Sequence, residues 1–408
     1  MKYGKFNVMR MLKYKKSPIF FLLFLFLFTF SNAQIKTGAT QLNEYLPLIK
    51  SKKIGLVVNQ TSVIGKTHLV DSLLTLKINI KKIFAPEHGF RGDHSAGEHI
   101  DNTVDTKTNL PVISLYGAHK KPTANDLNDV DIVIFDIQDV GARFYTYIST
   151  LHYVMEACAE NNKELLILDR PNPNGHYVDG PVLDPKFKSF VGMHPVPVVH
   201  GMTIGEYAQM INGEKWLKDG IQCPLKIVKI KNYTHDSLYT LPVRPSPNLP
   251  NMEAIYLYPS LCFFEGTNYS LGRGTDKPFQ CVGKPGITVG DYAFTPQSIP
   301  GIADHPPLEG KECKGLLLDK FAINYIRGSG KLYLFWITEM YKNDSDKEHF
   351  FNDFFDKLAG NDLLRKQIIE GKPIGEIRSS WKKDLQNFKV MRKKYLLYPD
   401  FTLIIEKE

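Results

Sequence analysis

Two glutamates stand in unusual company. Glu87 sits in Pro86-Glu87-His88-Gly89-Phe90-Arg91-Gly92, directly after the apolar run Ile80 to Ala85. Glu265 follows the apolar stretch Leu261 to Phe264 and precedes Gly272-Arg273-Gly274-Thr275. One lies in each half of the chain, so two facing lobes would set them across a cleft. Paired carboxyls flanking a glycosidic bond are the usual arrangement for glycoside hydrolysis. The same two residues could equally be capping or salt-bridged glutamates. A third acidic centre is the stretch Asp131 to Tyr147, DIVIFDIQDVGARFYTY. Its apolar run ends in Asp136, Gln138, Asp139 and Arg143, interleaved with Phe144, Tyr145 and Tyr147. These groups fit a site wall, and they fit a capped and ion-paired helix start as well.

Other chemistries are less well served. His88, His94 and His99 lie near Asp93 and Glu98, but glycines interrupt them and no HExxH spacing is present. There is no GxSxG elbow and no CxxC pair. Gly272-Arg273-Gly274-Thr275 lacks the rest of a phosphate-binding loop. No metal and no cofactor is expected.

The elements that would carry these residues alternate in type. Ile54 to Val58, Ile80 to Ala85, Pro111 to Leu115, the Asp131 stretch and Leu165 to Leu168 read as buried strands. A helix is predicted over Tyr147 to Asn161, where Ile148, Leu151, Val154, Met155 and Cys158 keep helical spacing. This alternation predicts an α/β fold, a Rossmann-like doubly wound parallel sheet. The dinucleotide fingerprint GxGxxG is absent after the first strand, so the fold class does not imply a nicotinamide cofactor. Ligands of such sheets bind at the carboxyl ends of the strands. Asn59, Glu87, Asp136, Asp139, Asp169 and Arg170 all follow strands.

Val196 to His200 is predicted as a sixth strand, and Met202 to Asn212 as a helix with Thr203 and Glu206 in a capping box. Leu225 to Ile230 and Thr402 to Ile405 read as further strands, and Arg244 to Pro250 as a rigid extended loop. Residues 1–33 carry a basic start and an apolar core, Ile19 to Phe30, before Ser31-Asn32-Ala33. They are read as a signal peptide cleaved before Gln34, which places the mature chain in the periplasm or outside the cell, with no stable membrane insertion. Six of the 51 basic residues lie there, so 45 face 43 acidic ones in the mature chain, a net charge of +2. Nothing in that balance calls for a nucleic-acid partner. The expected division is a Rossmann-like catalytic domain over 34–225 and a smaller α+β domain over 226–408. The five cysteines are widely spaced, and an odd count leaves at least one unpaired.

Six blocks occur together in order: APEHGFRG (85–92), FDIQDVGARFYTY (135–147), LDRPNPNG (168–175), HGMTIGEYA (200–208), PSPNLP (245–250) and FFEGTNYSLGRGTDKPF (263–279). They resemble the exo-β-N-acetylmuramidases of the NamZ type, glycoside hydrolase family 171. The resemblance covers nearly the whole mature chain. It implies a Rossmann-like domain, a smaller C-terminal domain, and a site between them. It implies release of terminal N-acetylmuramic acid from the non-reducing end of peptidoglycan saccharides, in wall turnover and recycling. Glu87 is then the first choice for a catalytic acid or base, with Glu265 and Asp139 as contenders for its partner. His88, Asp136, Gln138, Arg143, Tyr145, Asp169, Arg170, Asn172, His200, Ser246, Asn248 and Arg273 become the expected substrate-binding set. Arg273, between glycines, is expected to read the lactyl carboxylate, with Arg143 second. The alternatives are a non-catalytic exported receptor for wall sugars and an esterase or amidase on wall fragments.

Overall fold

The structure is a computed structural model, and it describes residues 34–87, 89–91 and 103–402. Its centre is a seven-stranded sheet. The strands are β1 (Ile54–Val58), β2 (Ile80–Ala85), β3 (Thr103–Val104), β4 (Pro111–Ser114), β5 (Ile132–Asp136), β6 (Glu164–Leu168) and, after an intervening hairpin, β9 (Leu225–Val228). They lie in the order β9-β6-β5-β1-β2-β4-β3, all parallel except β3. The order reverses at β1, which has β2 on one side and β5 on the other. β1 and β5 are buried along their whole lengths, from Ile54↔Ile132 to Val58↔Asp136. Both faces of the sheet are covered, so such strands are apolar at every position. Alternate residues serve different cores: Val133 and Phe135 of β5 pack in one, Ile132 and Ile134 in the other.

Helix α1 (Tyr147–Glu160) leads from β5 to β6. It lays Ile148, Leu151, Val154, Met155 and Cys158 into the first of those cores. Helix α2 (Ile204–Gly213) starts at the expected capping box: Thr203 Oγ1 accepts from Glu206 N and Glu206 Oε2 from Thr203 N.

One expectation about strands changes. Pro197–Val199 (β8) lies outside the central sheet, paired antiparallel with Asp179–Val182 (β7). The strand expected over Leu225 to Ile230 is β9, which runs parallel to β6 as an edge of the central sheet. Beyond it come α3 (Met252–Leu261), the antiparallel sheet β10-β12-β11 (Cys281–Lys284, Cys313–Leu317 and Tyr292–Phe294) and a set of short helices including α4 (Phe354–Ala359). The expected strand Thr402 to Ile405 lies outside the described residues apart from Thr402, which is not in a strand. No helix among the described residues is long and apolar enough to cross a membrane. All five cysteines are buried free thiols.

Candidate active site

The polar residues at the strand ends divide into two groups. Most of them face inward and are tied to the protein itself. The Asp136 carboxylate takes Arg170 Nε at 2.6 Å and Nη2 at 2.8 Å, and the pair is buried. Burial opposes the Arg170 charge, and the Asp136 carboxylate beside it raises its pKa above the usual range. Asp169 accepts from Gly205 N, Thr203 Oγ1 and the Tyr398 hydroxyl. Gln138 Nε2 donates to the carbonyls of Asp139 and Pro171, and Asn172 Nδ2 donates to that of Met202.

Arg143 is the largest departure from expectation. Its side chain is wholly buried, and its guanidinium donates to the carbonyls of Pro181, Val196, Leu358 and Ala359, each at 2.8 Å. The last two are the C-terminal carbonyls of α4, groups that no helix satisfies for itself. Arg143 therefore clamps the β7–β8 hairpin to α4: both terminal nitrogens are spent on carbonyls, and Nε is buried away from the cavity described below.

Asp139 is buried too. Its Oδ2 accepts Gly141 N at 2.6 Å and lies 3.9 Å from His200 Nε2. Burial pushes its carboxyl up to about 7, against the pull of the Gly141 and Val140 N–H groups. Burial, then the charges of Arg392 and Arg143, push His200 down to about 3, so this imidazole is neutral near pH 7. Asp136, Gln138, Asp139, Arg143, Asp169, Arg170, Asn172 and His200 all lie outside the lining of the cavity described next.

That cavity holds about 850 Å³ and is walled by both halves of the chain. Glu87 lines it from the end of β2, where Gly89 N closes a turn onto the Pro86 carbonyl. Its Oε2 accepts Thr146 Oγ1 at 2.8 Å, and Tyr116 lines the same cavity with its hydroxyl near enough to this carboxylate for the Glu87 charge to act on it. Thr146 precedes α1, so the positive end of a 14-residue helix lies beside the acid. Glu265 lines the cavity from the 3₁₀ turn Cys262–Gly266 that continues α3. A Cβ on Gly266 would stand 2.4 Å from Phe355 Cα, so only glycine lets this turn seat against α4. Arg273 reaches Glu265 Oε1 through Nε at 2.8 Å and Nη2 at 2.6 Å. The flanking Gly272 and Gly274, at φ +73° and +77°, hold the left-handed backbone that its loop needs. Arg273 also lies over the Phe279 ring.

Tyr145 and Ser246 line the cavity. The Tyr145 hydroxyl donates to the Pro245 carbonyl at 2.8 Å, fixing the proline-rich loop. Asn248 stands behind the wall and donates to the Ile302 carbonyl, which anchors a lining loop. His88 lies outside the described residues, as do His94 and His99. The lining residues that were not anticipated include Tyr116, Thr146, Asp304 and His305. Tyr116 sits at a strand end and was accessible to that rule, whereas Thr146 stands at the start of α1; Asp304 and His305 belong to no recognisable motif. Among the described residues no group of three or more His, Cys, Asp or Glu side chains converges as metal ligands would.

Residues 54–253 match the family description "Exo-beta-N-acetylmuramidase NamZ, N-terminal", and residues 256–398 its C-terminal counterpart. The chain belongs to the NamZ family. It is 41% identical over 393 residues to the peptidoglycan beta-N-acetylmuramidase NamZ of Bacillus subtilis (strain 168), covering 91% of this chain and 93% of that one. Two crystal structures of DUF1343 family proteins from Bacteroides fragilis NCTC 9343 share its fold. One is 49% identical with a TM-score of 0.84, covering 90% of this chain and all of that one. The other is 29% identical with a TM-score of 0.73, covering 89% and 99%. Membership makes the NamZ-type chain a glycosidase, and a non-catalytic receptor is not the favoured reading. The two NamZ matches meet at the start of α3, so Glu87 falls in the N-terminal one and Glu265 with Arg273 in the C-terminal one.

Proposed function

We propose that this enzyme removes terminal N-acetylmuramic acid from the non-reducing end of peptidoglycan-derived saccharides, in wall turnover outside the cytoplasm. The observation that carries the reading is one cavity with Glu87 and Glu265 in its wall, each supplied by a different half of the chain. The reading divides the work between them. Glu265 is held by the Arg273 guanidinium, whose Nε and Nη2 both donate to its Oε1. It is suited to facing the positive charge that develops on the sugar ring, as nucleophile or as base toward water. Glu87 is then the proton donor to the glycosidic oxygen. Arg273 Nη1 donates to no described residue, and it remains available for the lactyl carboxylate that distinguishes N-acetylmuramic acid from N-acetylglucosamine. Export rests on the basic and apolar character of residues 1–33.

The test uses two substrates. The 4-nitrophenyl β-glycoside of N-acetylmuramic acid should be cleaved, and the matching N-acetylglucosamine glycoside should be cleaved far more slowly. On the disaccharide N-acetylmuramyl-β-1,4-N-acetylglucosamine, Glu87→Gln should lower turnover roughly a hundredfold or more, because the sugar leaving group needs its proton. Equal rates on the two glycosides, or normal turnover in folded Glu87→Gln, would refute the reading.

A further inference from the structure

We infer that Tyr116 is a positioning residue for this reaction: its hydroxyl, together with that of Thr146, strengthens Glu87 as an acid by holding the carboxylate left when the proton departs. The inference rests on the proton-donor role proposed for Glu87.

The grip comes from both sides along the sheet edge. Glu87 follows β2, Tyr116 follows the neighbouring β4, and Thr146 follows β5 beyond β1. Tyr116 is fixed below by its own N–H, which reaches Ser114 Oγ at 3.4 Å. Its ring packs edge-on against Phe190 with centroids 6.3 Å apart. Tyr116 and Glu87 line the same cavity, and the Glu87 charge acts on the Tyr116 hydroxyl there. Thr146 stands in the N-cap position of α1, where a threonine oxygen usually accepts a helix N–H. Here no such cap forms, and the Oγ1–H is spent on Glu87 Oε2 at 2.8 Å instead. Burial first, and then the Glu87 charge, raise the pKa of Tyr116, so it stays a neutral O–H donor across the working pH range.

The chemistry follows from where charge appears. As the glycosidic C–O bond breaks, its electron pair goes to the leaving oxygen, which takes the Glu87 proton. Glu87 is left as a carboxylate, and a water later restores its proton. Both hydroxyls bond more strongly to the carboxylate than to the neutral acid, so they favour the transition state over the ground state.

Leaving groups separate this role from packing. A sugar alkoxide must be protonated to depart, whereas 4-nitrophenolate departs with little help. Tyr116→Phe should therefore lower turnover on the muramyl disaccharide by about tenfold or more and change the 4-nitrophenyl glycoside much less. KM should stay near the wild-type value. On the disaccharide the alkaline limb of the kcat/KM profile should move to higher pH, since losing a donor weakens the acid. Thr146→Val should act in the same direction, and Thr146→Ser, which restores the hydroxyl, should return the profile toward wild type. Equal losses on both leaving groups with an unmoved profile would make Tyr116 a packing residue and overturn the inference. Movement of the acid limb instead would make Glu87 a base, removing the proton donor that Tyr116 is said to strengthen. Wild-type inactivity on both muramyl substrates would sink the proposed function itself, before any variant is compared.

Discussion

Arg143 is the residue on which the sequence and the structure disagree most usefully, and Arg143→Met tests the structure directly. Methionine keeps much of the stem and removes every donor. Four buried carbonyls then lose Arg143: Pro181, Val196, Leu358 and Ala359. Val196 keeps Leu183 N–H as a second donor, so the main loss falls on the other three. An orphaned buried carbonyl costs about 1–3 kcal/mol. Taking the lower part of that range, because water can enter the vacated space, gives about 4–5 kcal/mol in all. With an unfolding entropy of about 2.1 cal/mol/K per residue over about 370 residues, that loss lowers Tm by about 6 °C. Calorimetry and urea unfolding measure it, beside activity on the muramic and glucosamine glycosides at a temperature where the variant is folded. The expected result is a large stability loss with the preference between glycosides intact. Gly360→Ala is an independent probe, because a Cβ there would stand 2.6 Å from Arg143 Nη2 on a backbone at φ +77°. A variant that melts like the wild type but no longer prefers the muramic glycoside would refute the clamp and return Arg143 to the substrate.

Arg273→Lys keeps a charge near Glu265 but loses the fork, so both glycosides should slow, and the ratio of kcat/KM for muramic over glucosamine substrate should fall by about tenfold; an unchanged ratio would remove Arg273 as the lactyl reader. Asp139 has its carboxyl pushed up to about 7 by burial, so the stability it gives is complete below the ordinary carboxylate range and is lost as pH rises through about 7. Asp139→Asn should flatten the decline in Tm between pH 5 and 8 while leaving turnover largely in place; a folded but inactive Asp139→Asn enzyme would restore Asp139 as a candidate catalytic residue. Mass spectrometry of the exported protein should find Gln34 at the N-terminus, and an intact first segment held in the membrane would contradict the export reading.

The sequence alone determined the layered α/β architecture. Strands buried on both faces are apolar at every position, and this made β1, β2 and β5 legible as short unbroken runs. The 3.6-residue period marked α1, and Thr203 with Glu206 marked the start of α2, because the signal and the structure lie within one turn of chain. The motif blocks likewise brought out Glu87, Glu265 and Arg273. The division of the strand-end polar residues was not legible. Asp136, Asp169 and Arg143 have the residue types of a ligand site, and they serve as internal ties instead. What decides their role is the partner each one meets, and for Arg143 that includes carbonyls 215 and 216 residues further along. The pairing of Pro197–Val199 outside the central sheet and the arrival of Asp304 and His305 at the cavity are decided in the same way. Local pattern records whether a side chain is buried, because burial repeats with the period of the element. Which distant group satisfies a buried charge depends on how the whole chain closes, and no local period carries that information.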